Sequence, residues 1–343
     1  MNILNNTPFQ IETLPSKGPD GRIFLTIIVK GTCDFCNGDP APVAAEQIPI
    51  LFGDEFHNED GGSIKFESDI APFKPRADIV LLGRAYAPPG RGTVQAVDVL
   101  LRVGQIRKIL RIIGDRSWIG STLLSSERRS EPEPFAVMDI VYERAFGGID
   151  TESGEFCKEN LLGKGFIGKG TKKLPEGTPL PNIEDPRDLI DSWGDHPRPV
   201  GFGFYSRAWM PRAGYVGTYN EKWRKDRSPD PPEDFRFDYY NAAHPDLQVE
   251  GYLRGDEEIE LVNLMPDGRI RFQLPGISLN CTVTKTFEFT EIASSQSPVT
   301  EEIRLNLDTL CLIPDEKRFY LVWRGCCSVL DLDASEVKTV EIV

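Results

Sequence analysis

The chain has 343 residues and seven cysteines, and its acidic residues outnumber its basic ones, which gives a formal net charge of −14. The length predicts about two domains, or one large β domain, and it suffices to bury a core without disulfides or a structural metal. The acidity argues against nucleic acid or an anionic membrane as a ligand, because phosphate binding relies on clustered Lys and Arg. It favours solubility instead, with a cationic partner as the alternative.

The N-terminal segment and the cysteines indicate a cytoplasmic protein. The opening residues, MNILNNTPF, lack the basic and apolar regions of a signal peptide. No apolar run approaches the roughly 20 residues that a membrane helix needs. The odd cysteine count without a framework spacing fits a reducing compartment. We therefore expect no membrane contact.

Short runs rich in β-branched and aromatic residues, separated by Gly, Pro or charged residues, predict strands along most of the chain. In the N-terminal part the predicted strands are Arg22–Lys30, Asp78–Tyr86, Val94–Val103, Lys108–Ile113 and Phe135–Tyr142. In the C-terminal part they are Glu258–Leu264, Arg269–Leu274, Ser278–Glu288, Glu301–Thr309, Arg318–Trp323 and Val337–Val343. The segment Met265–Gly268 predicts a hairpin turn, with Gly268 at the position that needs a positive φ.

Only short helices are predicted, near Asp185–Trp193 and Asn220–Lys225. The fold class is therefore mainly β, with two β-sandwich or barrel-like sheet regions joined by a loop-rich middle segment that is rich in aromatic residues, Gly and Pro. The expected division is an N-terminal β region at 1–148, a loop-rich segment at 149–245 that packs on the β regions, and a C-terminal β region at 246–343. One continuous domain is the alternative.

The middle segment contains an unusually aromatic stretch, from Gly201 to Tyr240. Its forty residues include eleven aromatic side chains, four glycines and four prolines. It is too broken by Gly and Pro for a long helix. So much aromatic surface must either pack against a core or meet a partner, and both interpretations stay open.

Several catalytic or metal-binding patterns lack the context that their chemistry needs. The Gly163–Gly168 segment matches the dinucleotide pattern G-x-G-x-x-G, but neither a buried strand nor a helix is predicted around it. Cys33 and Cys36 have the spacing of half a zinc site, and the remaining cysteines are scattered. The histidines His57, His196 and His244 belong to no hydrolase motif. We therefore assign no catalytic, cofactor-binding or metal-binding residues, and expect no cofactor.

Carboxylates cluster between Glu184 and Asp195 and could present a catalytic acid and base. They are interleaved with Arg187 and Arg198, which favours a solvated, salt-bridged loop. Paired carboxylates of a glycosidase remain an alternative, because their separation is a three-dimensional property.

Many short segments along nearly the whole chain carry a resemblance to a known family. They are Glu67–Pro72, Lys74–Asp78, Gly83–Pro88, Gly114–Trp118, the distinctive Tyr142–Gly148, Leu180–Pro186, Gly201–Gly203, Trp209–Arg212, Gly217–Trp223, Asp230–Phe235, Asn241–Ala243, Leu307–Thr309 and Val322–Gly325. With these segments the chain resembles the domain-of-unknown-function 2169 family, which is encoded in type VI secretion gene clusters beside the VgrG spike, the PAAR tip and toxic effectors. Two departures are Asn160–Phe166, which lacks the family's proline, and Asn220, where the family commonly carries Asp.

The resemblance implies a non-enzymatic adaptor or chaperone in the cytoplasm of a Gram-negative bacterium, which helps to load a cognate effector onto the VgrG/PAAR spike. The candidate partner-binding residues form one expected surface, Tyr205, Trp209, Arg212, Tyr219 and Trp223, and a second, Tyr142, Arg144 and Phe146. The arginines could instead pair internally with Asp78, Glu143 or Asp115. The alternatives for function are a carbohydrate-active enzyme or binding module, using the aromatic loop and the acidic cluster, and a structural component of the spike complex.

Overall fold

The computed structural model describes residues 1–38, 40–58, 61–119, 128–171, 177–287 and 298–343. Twelve strands precede residue 140: β1 Asn2–Asn5, β2 Gln10–Lys17, β3 Ile23–Asp34, β4 Glu55–Phe56, β5 Ile64–Phe66, β6 Ala77–Leu81, β7 Arg84–Tyr86, β8 Ala96–Val103, β9 Ile106–Ile113, β10 Trp118–Ile119, β11 Arg128–Arg129 and β12 Val137–Asp139. The later strands are β13 Phe146–Gly147, β14 Lys164–Gly165, β15 Ile183–Glu184, β16 Gln248–Val249, β17 Glu258–Val262, β18 Arg269–Gln273, β19 Asn280–Lys285, β20 Val299–Arg304, β21 Asn306–Ile313, β22 Arg318–Ser328 and β23 Val337–Ile342. The prediction of a mainly β protein is confirmed.

Helical structure is short. Within the described residues, the α-helix is α1, Glu221–Asp226, and the 3-10 turns are Tyr142–Arg144, Arg212–Tyr215, Phe237–Tyr240, Pro245–Leu247 and Pro314–Glu316. The helix begins where the sequence predicts it, since Asn220 lies at its N-cap and its side chain accepts a hydrogen bond from Trp223 N. None of these helices is long and apolar enough to span a bilayer.

The largest sheet has six strands in the order β16-β6-β21-β22-β3-β2. Its central strands β3 and β22 are long, mostly buried and antiparallel over their full paired length. Strand β21 pairs with β6 in parallel and with β22 in antiparallel orientation. The sequence does not predict the edge strand β2. This strand contains Pro15, and a proline is tolerated at a sheet edge because it cannot donate a hydrogen bond to the ladder.

Two further sheets have the orders β15-β9-β8-β17-β18 and β1-β23-β19-β20. In each of the three large sheets a strand from residues 1–148 pairs directly with a strand from residues 246–343: β3 with β22, β8 with β17, and β1 with β23. The two terminal β regions are therefore interleaved. None of the sheets, as far as the structure describes them, closes into a barrel.

One hydrophobic cluster draws on all three sheets, with Leu25, Leu101, Ile259 and Val340 among its fully or almost fully buried members. Aromatic contacts reinforce it where the six-stranded and five-stranded sheets meet, since the Phe272 ring lies 5.6 Å from that of Phe319. A second, small cluster consists of Trp118, Phe146, Cys157, Ile167, Leu180 and Ile190. This small cluster therefore packs part of the loop-rich segment against the N-terminal part of the chain, while Tyr205 and Trp209 of the same segment belong to the main cluster.

A buried carboxylate fastens the end of the aromatic stretch to the six-stranded sheet. Asp78 in β6 accepts hydrogen bonds from the backbone of Ala242 (2.9 Å) and Ala243 (3.1 Å) and from the amide of Asn241 (3.1 Å). Lys74 Nζ neutralises the same carboxylate at 2.8 Å. A fully buried charge needs this degree of pairing, so Asp78 fixes the position at which the loop-rich segment docks.

The hairpin and most of the predicted strands are found, but the predicted strands Asp78–Tyr86 and Glu301–Thr309 each cover two strands of different sheets, β6 and β7 in the first and β20 and β21 in the second. The predicted helix at Asp185–Trp193 is wrong. The Met265–Gly268 turn has Gly268 at φ +79°, and a Cβ there would lie 2.8 Å from the ring of Pro89. Asp185 instead closes a side-chain turn, because its carboxylate accepts from the backbone N of Arg187 at 2.9 Å. Glu288, the last residue of one predicted strand, lies outside the described residues.

Candidate functional site

Three of the aromatic candidates form a buried cluster. The rings of Tyr142, Tyr205 and Trp209 meet edge to face, with centroids 5.2–5.5 Å apart. The hydroxyl of Tyr205 lies 2.6 Å from the carbonyl oxygen of Glu159. Gly201 makes room for the cluster, since a Cβ there would lie 2.9 Å from the Tyr142 ring. These rings pack in the interior. Tyr205 and Trp209 therefore do not form with Tyr219 and Trp223 the one exposed surface that the sequence predicts.

Arg212 is buried next to this cluster and satisfies backbone and carboxylate acceptors. Its guanidinium donates to both carboxylate oxygens of Glu67, and also to the carbonyl oxygens of Tyr239 (2.7 Å) and Tyr205 (2.6 Å). Arg212 is therefore paired internally, as the alternative prediction has it, but its partner is Glu67 and not Asp78, Glu143 or Asp115. The pair holds the Arg212–Tyr215 turn in place.

Tyr219 and Trp223 lie apart from the buried cluster, at the surface. Tyr219 is 53% exposed and Trp223 is half-buried on α1. Their ring centroids are 4.5 Å apart, and Trp223 Nε1 donates to the carbonyl oxygen of Asp230 at 2.8 Å. This hydrogen bond fixes the indole ring while the Tyr219 side chain stays accessible.

Trp223 lines a groove of about 480 Å³, which we call the aromatic groove. Its lining consists of Thr218, Asn220, Lys222, Trp223, Asp226, Arg227, Pro232, Glu233 and Asp234. One wall is closed by Asp234, which accepts from Thr218 N at 2.9 Å and from Thr218 Oγ1 at 2.7 Å. These hydrogen bonds lower the pKa of the Asp234 carboxyl, so the wall stays negatively charged at neutral pH.

A hydrogen bond and an ion pair connect the groove to the β2 edge of the six-stranded sheet. Arg227 donates to the carbonyl oxygens of Pro231 (3.1 Å) and Pro19 (2.6 Å), and Pro19 lies two residues after the end of β2. Lys17 in β2 pairs with Asp230 at 2.5 Å. The aromatic groove is therefore presented on a fixed platform. Sequence reasoning found Trp223 but missed the charged lining, for which the only signal is the i, i+4 spacing of Lys222 and Asp226 on a short helix.

A second, larger cavity of about 760 Å³, the charged cleft, lies where three segments of the family resemblance come together. Arg84, Asp115 and the Glu143–Arg144 pair belong to these three segments and line the cleft. Its other lining residues are His57, Asn58, Lys65, Phe66, Leu82, Gly83, Asp139, Val141, Lys164, Ile313, Asp315 and Glu316. The lining contains charged groups of both signs, which suits a polar ligand rather than an apolar one.

The ion pairs of the charged cleft differ in the distance between their nitrogen and oxygen atoms. Asp115 is shared by Arg144 (3.6 Å) and Lys164 (3.5 Å), whereas Arg84 and Asp315 are joined at 2.9 Å. A hydrogen bond from Asn182 and then the neighbouring cations lower the pKa of Asp115. Of the second candidate trio, only Arg144 lines the cleft, because Tyr142 and Phe146 are buried.

The glycine-rich loop at Gly163–Gly168 is held by packing and by one carboxylate. Gly163 has no room for a side chain, since a Cβ would lie 2.6 Å from the carbonyl oxygen of Ala145. Asp150 accepts from Gly168 N at 2.9 Å and from Ser153 Oγ at 2.7 Å. The glycines thus allow backbone segments to approach each other closely in this part of the structure.

Cys33 and Glu184 are buried, whereas Asp188, Asp191 and Asp195 of the acidic cluster are exposed. Cys33 is fully buried in β3, and burial raises the pKa of its thiol to about 12, which leaves it unreactive. Glu184 is buried against Arg116 and accepts from Ile190 N at 3.0 Å. Asp195 accepts from the backbone N of Ser192 at 2.8 Å. Among the described residues no group of three His, Cys, Asp or Glu side chains is placed to hold a metal ion.

Comparison with known proteins gives one match. The family model described as "Uncharacterized protein conserved in bacteria (DUF2169)" covers residues 20–324, which is most of the chain. No curated protein and no solved structure matches.

Proposed function

Because the chain belongs to the DUF2169 family of uncharacterised proteins conserved in bacteria, we propose that it is a non-enzymatic adaptor or chaperone of type VI secretion. It binds a cognate effector in the cytoplasm of a Gram-negative bacterium and helps to load that effector onto the VgrG/PAAR spike. Such a role needs an interface that forms and then yields to the assembled spike.

The exposed Tyr219, in contact with the half-buried Trp223, is the observation that carries this proposal. Exposed aromatic residues are the usual source of interface energy, with a hot spot worth about 2 kcal/mol or more. In the same stretch, Tyr205 and Trp209 are almost completely buried, so core packing accounts for them. Core packing does not account for Tyr219, whose ring is 53% exposed beside an open groove.

The rigidity of the platform adds to this argument. Since Arg227 and Lys17 fasten the groove to the region of β2, little conformational freedom is lost when a partner docks there. A pre-organised aromatic anchor of this kind supports a protein-binding surface.

The test is a pull-down of the tagged chain from its own cells, read by mass spectrometry. We expect the unaltered chain to recover a toxin-domain protein together with VgrG or PAAR components, and Trp223→Ala to lose them while its unfolding midpoint changes little. Phe52→Ala is the matched control, because Phe52 is 70% exposed and lies outside the groove.

Three outcomes contradict the proposal. Recovery of the chain alone, with spike components confirmed in the input, contradicts the adaptor role. Recovery with the spike but never with an effector supports a structural component of the spike instead. Equal losses from Trp223→Ala and Phe52→Ala contradict the assignment of the binding surface to the aromatic groove.

A further inference from the structure

We propose that the aromatic groove recognises an arginine side chain in a basic segment of the partner. This inference rests on the proposed function and adds to it the chemistry of what is bound. It follows from which charged groups of the groove are already satisfied, and from what the remaining groups surround.

Two of the charged lining residues form hydrogen bonds with other groups of the chain. The guanidinium of Arg227 donates hydrogen bonds to the carbonyl oxygens of Pro19 and Pro231. The carboxylate of Asp234 accepts hydrogen bonds from the backbone N and the hydroxyl of Thr218. These groups build the walls, and neither is free to select a ligand.

The groups left over are mainly acidic. Neither a hydrogen bond nor an ion pair joins the Asp226 carboxylate to any residue that the structure describes. Glu233 has a 78% exposed side chain and only a distant contact of 3.5 Å with Arg227. Lys222 is the remaining cation, so the groove is lined by two available carboxylates and one available amine. A cationic ligand would restore the balance.

The aromatic side chains Tyr219 and Trp223 favour one cationic side chain, arginine, over the other, lysine. A guanidinium is planar and weakly hydrated, and it stacks on an indole face more readily than a compact, strongly hydrated ammonium does. The Trp223 ring is held by its hydrogen bond to Asp230 and needs no reordering to receive it. Indole and carboxylates in one groove therefore favour arginine over lysine.

The charge of the whole chain acts in the same direction. With a formal net charge of −14, the protein attracts basic segments and repels acidic ones at long range, which affects the rate of association. This general attraction is not selective. The test must therefore separate the groove from the acidic surface as a whole.

The probe is an acetylated and amidated hexapeptide of alternating glycine and arginine, titrated calorimetrically into the purified chain. We expect it to bind about fivefold tighter than its lysine counterpart, with no binding of the glutamate counterpart. Trp223→Leu should remove the preference for arginine over lysine. Equal affinity for the two basic peptides would overturn the proposal.

Charge-matched variants locate the site. Asp226→Asn combined with Glu233→Gln should weaken binding of the arginine peptide about fivefold, whereas Glu250→Gln with Asp256→Asn removes the same charge from exposed positions elsewhere and should change it less than about twofold. Lys222→Gln removes the competing amine and should tighten binding, and Lys225→Gln, on the same helix but outside the lining, should tighten it less. Equal effects within each matched pair would show a non-specific attraction and overturn the proposal.

Failure of this inference is distinguishable from failure of the proposed function. If Trp223→Ala loses the effector in the pull-down but the arginine peptide is not preferred, the adaptor role stands and the recognition of arginine falls. If no effector or spike protein is ever recovered but the peptide discriminates as expected, the groove chemistry stands and the adaptor role falls.

Discussion

His244 shows how burial sets the chemistry of one residue in this protein. Its Nε2 lies 3.0 Å from the carbonyl oxygen of Pro199, to which it can only donate, so Nδ1 accepts from Lys108 Nζ at 2.7 Å. Burial, and then the positive charge of Lys108, lower the pKa of His244 to about 3. The ring is therefore neutral in the folded protein at every ordinary pH.

This shift predicts a loss of stability in acid. In the unfolded chain His244 binds a proton below its ordinary pKa of 6.5, while the folded chain does not bind one until about 3. Stability from this residue is therefore full above 6.5 and falls as the pH decreases towards 3. We expect the urea midpoint of the unaltered protein to drop more between pH 7.5 and 5 than that of His244→Gln. Parallel drops would contradict the assignment.

The Arg212–Glu67 pair predicts a large effect of a single substitution. Arg212→Met leaves Arg207 as the remaining cation beside the buried Glu67 carboxylate and removes the donors to the carbonyl oxygens of Tyr205 and Tyr239, so it should lower the free energy of unfolding by about 3 kcal/mol. Adding Glu67→Gln removes the under-neutralised charge and should recover part of the loss. Chemical denaturation measures both variants. Arg187→Met is the control, since its exposed pair with Asp185 should leave the midpoint almost unchanged. A small change for Arg212→Met would contradict the role of the pair.

At the scale of an element, the 217–235 segment owes its fixed position to long-range bonds rather than to its own short helix. Arg227→Ala removes the contacts to Pro19 and Pro231, so we expect faster amide hydrogen exchange in this segment and unchanged exchange in β3 and β22. Binding of the arginine peptide should weaken along with it. Arg224→Ala, on the same helix but outside the groove lining, is the matched control. Equal exchange in both variants would show that Arg227 does not anchor the segment.

The elements also show what could be predicted from the sequence. Strands such as β8 and β17 were predictable because their alternation of apolar and polar residues is local. The helix cap at Asn220 was predictable for the same reason. The burial of Arg212 was not, because its partner Glu67 is 145 positions away along the chain. Which aromatic residues of one stretch stay exposed depends on such distant partners, and so the site was found only in part.

At the scale of the whole molecule, the order of strands in the sheets makes the two ends of the chain interdependent. Strands β21 and β22 from the C-terminal part lie between β6 and β3 from the N-terminal part. The fully buried β6 would lose its neighbour if the C-terminal part were absent. The main hydrophobic cluster likewise takes members from both ends, including Leu25 and Val340.

This interleaving predicts that the chain cannot be cut at the boundary that its composition suggests. A fragment ending at residue 245 lacks β21 and β22, so β3 and β6 would expose their buried residues and unpaired backbone groups, and we expect no native near-ultraviolet circular dichroism from it. Removal of residues 1–5 is the control, because β1 is an exposed edge strand whose loss leaves β23 paired with β19. We expect that variant to unfold in one transition close to that of the full chain. A monomeric 1–245 fragment with a native spectrum would contradict the interdependence, since it would show that the N-terminal strands can bury their faces without the strands inserted between them.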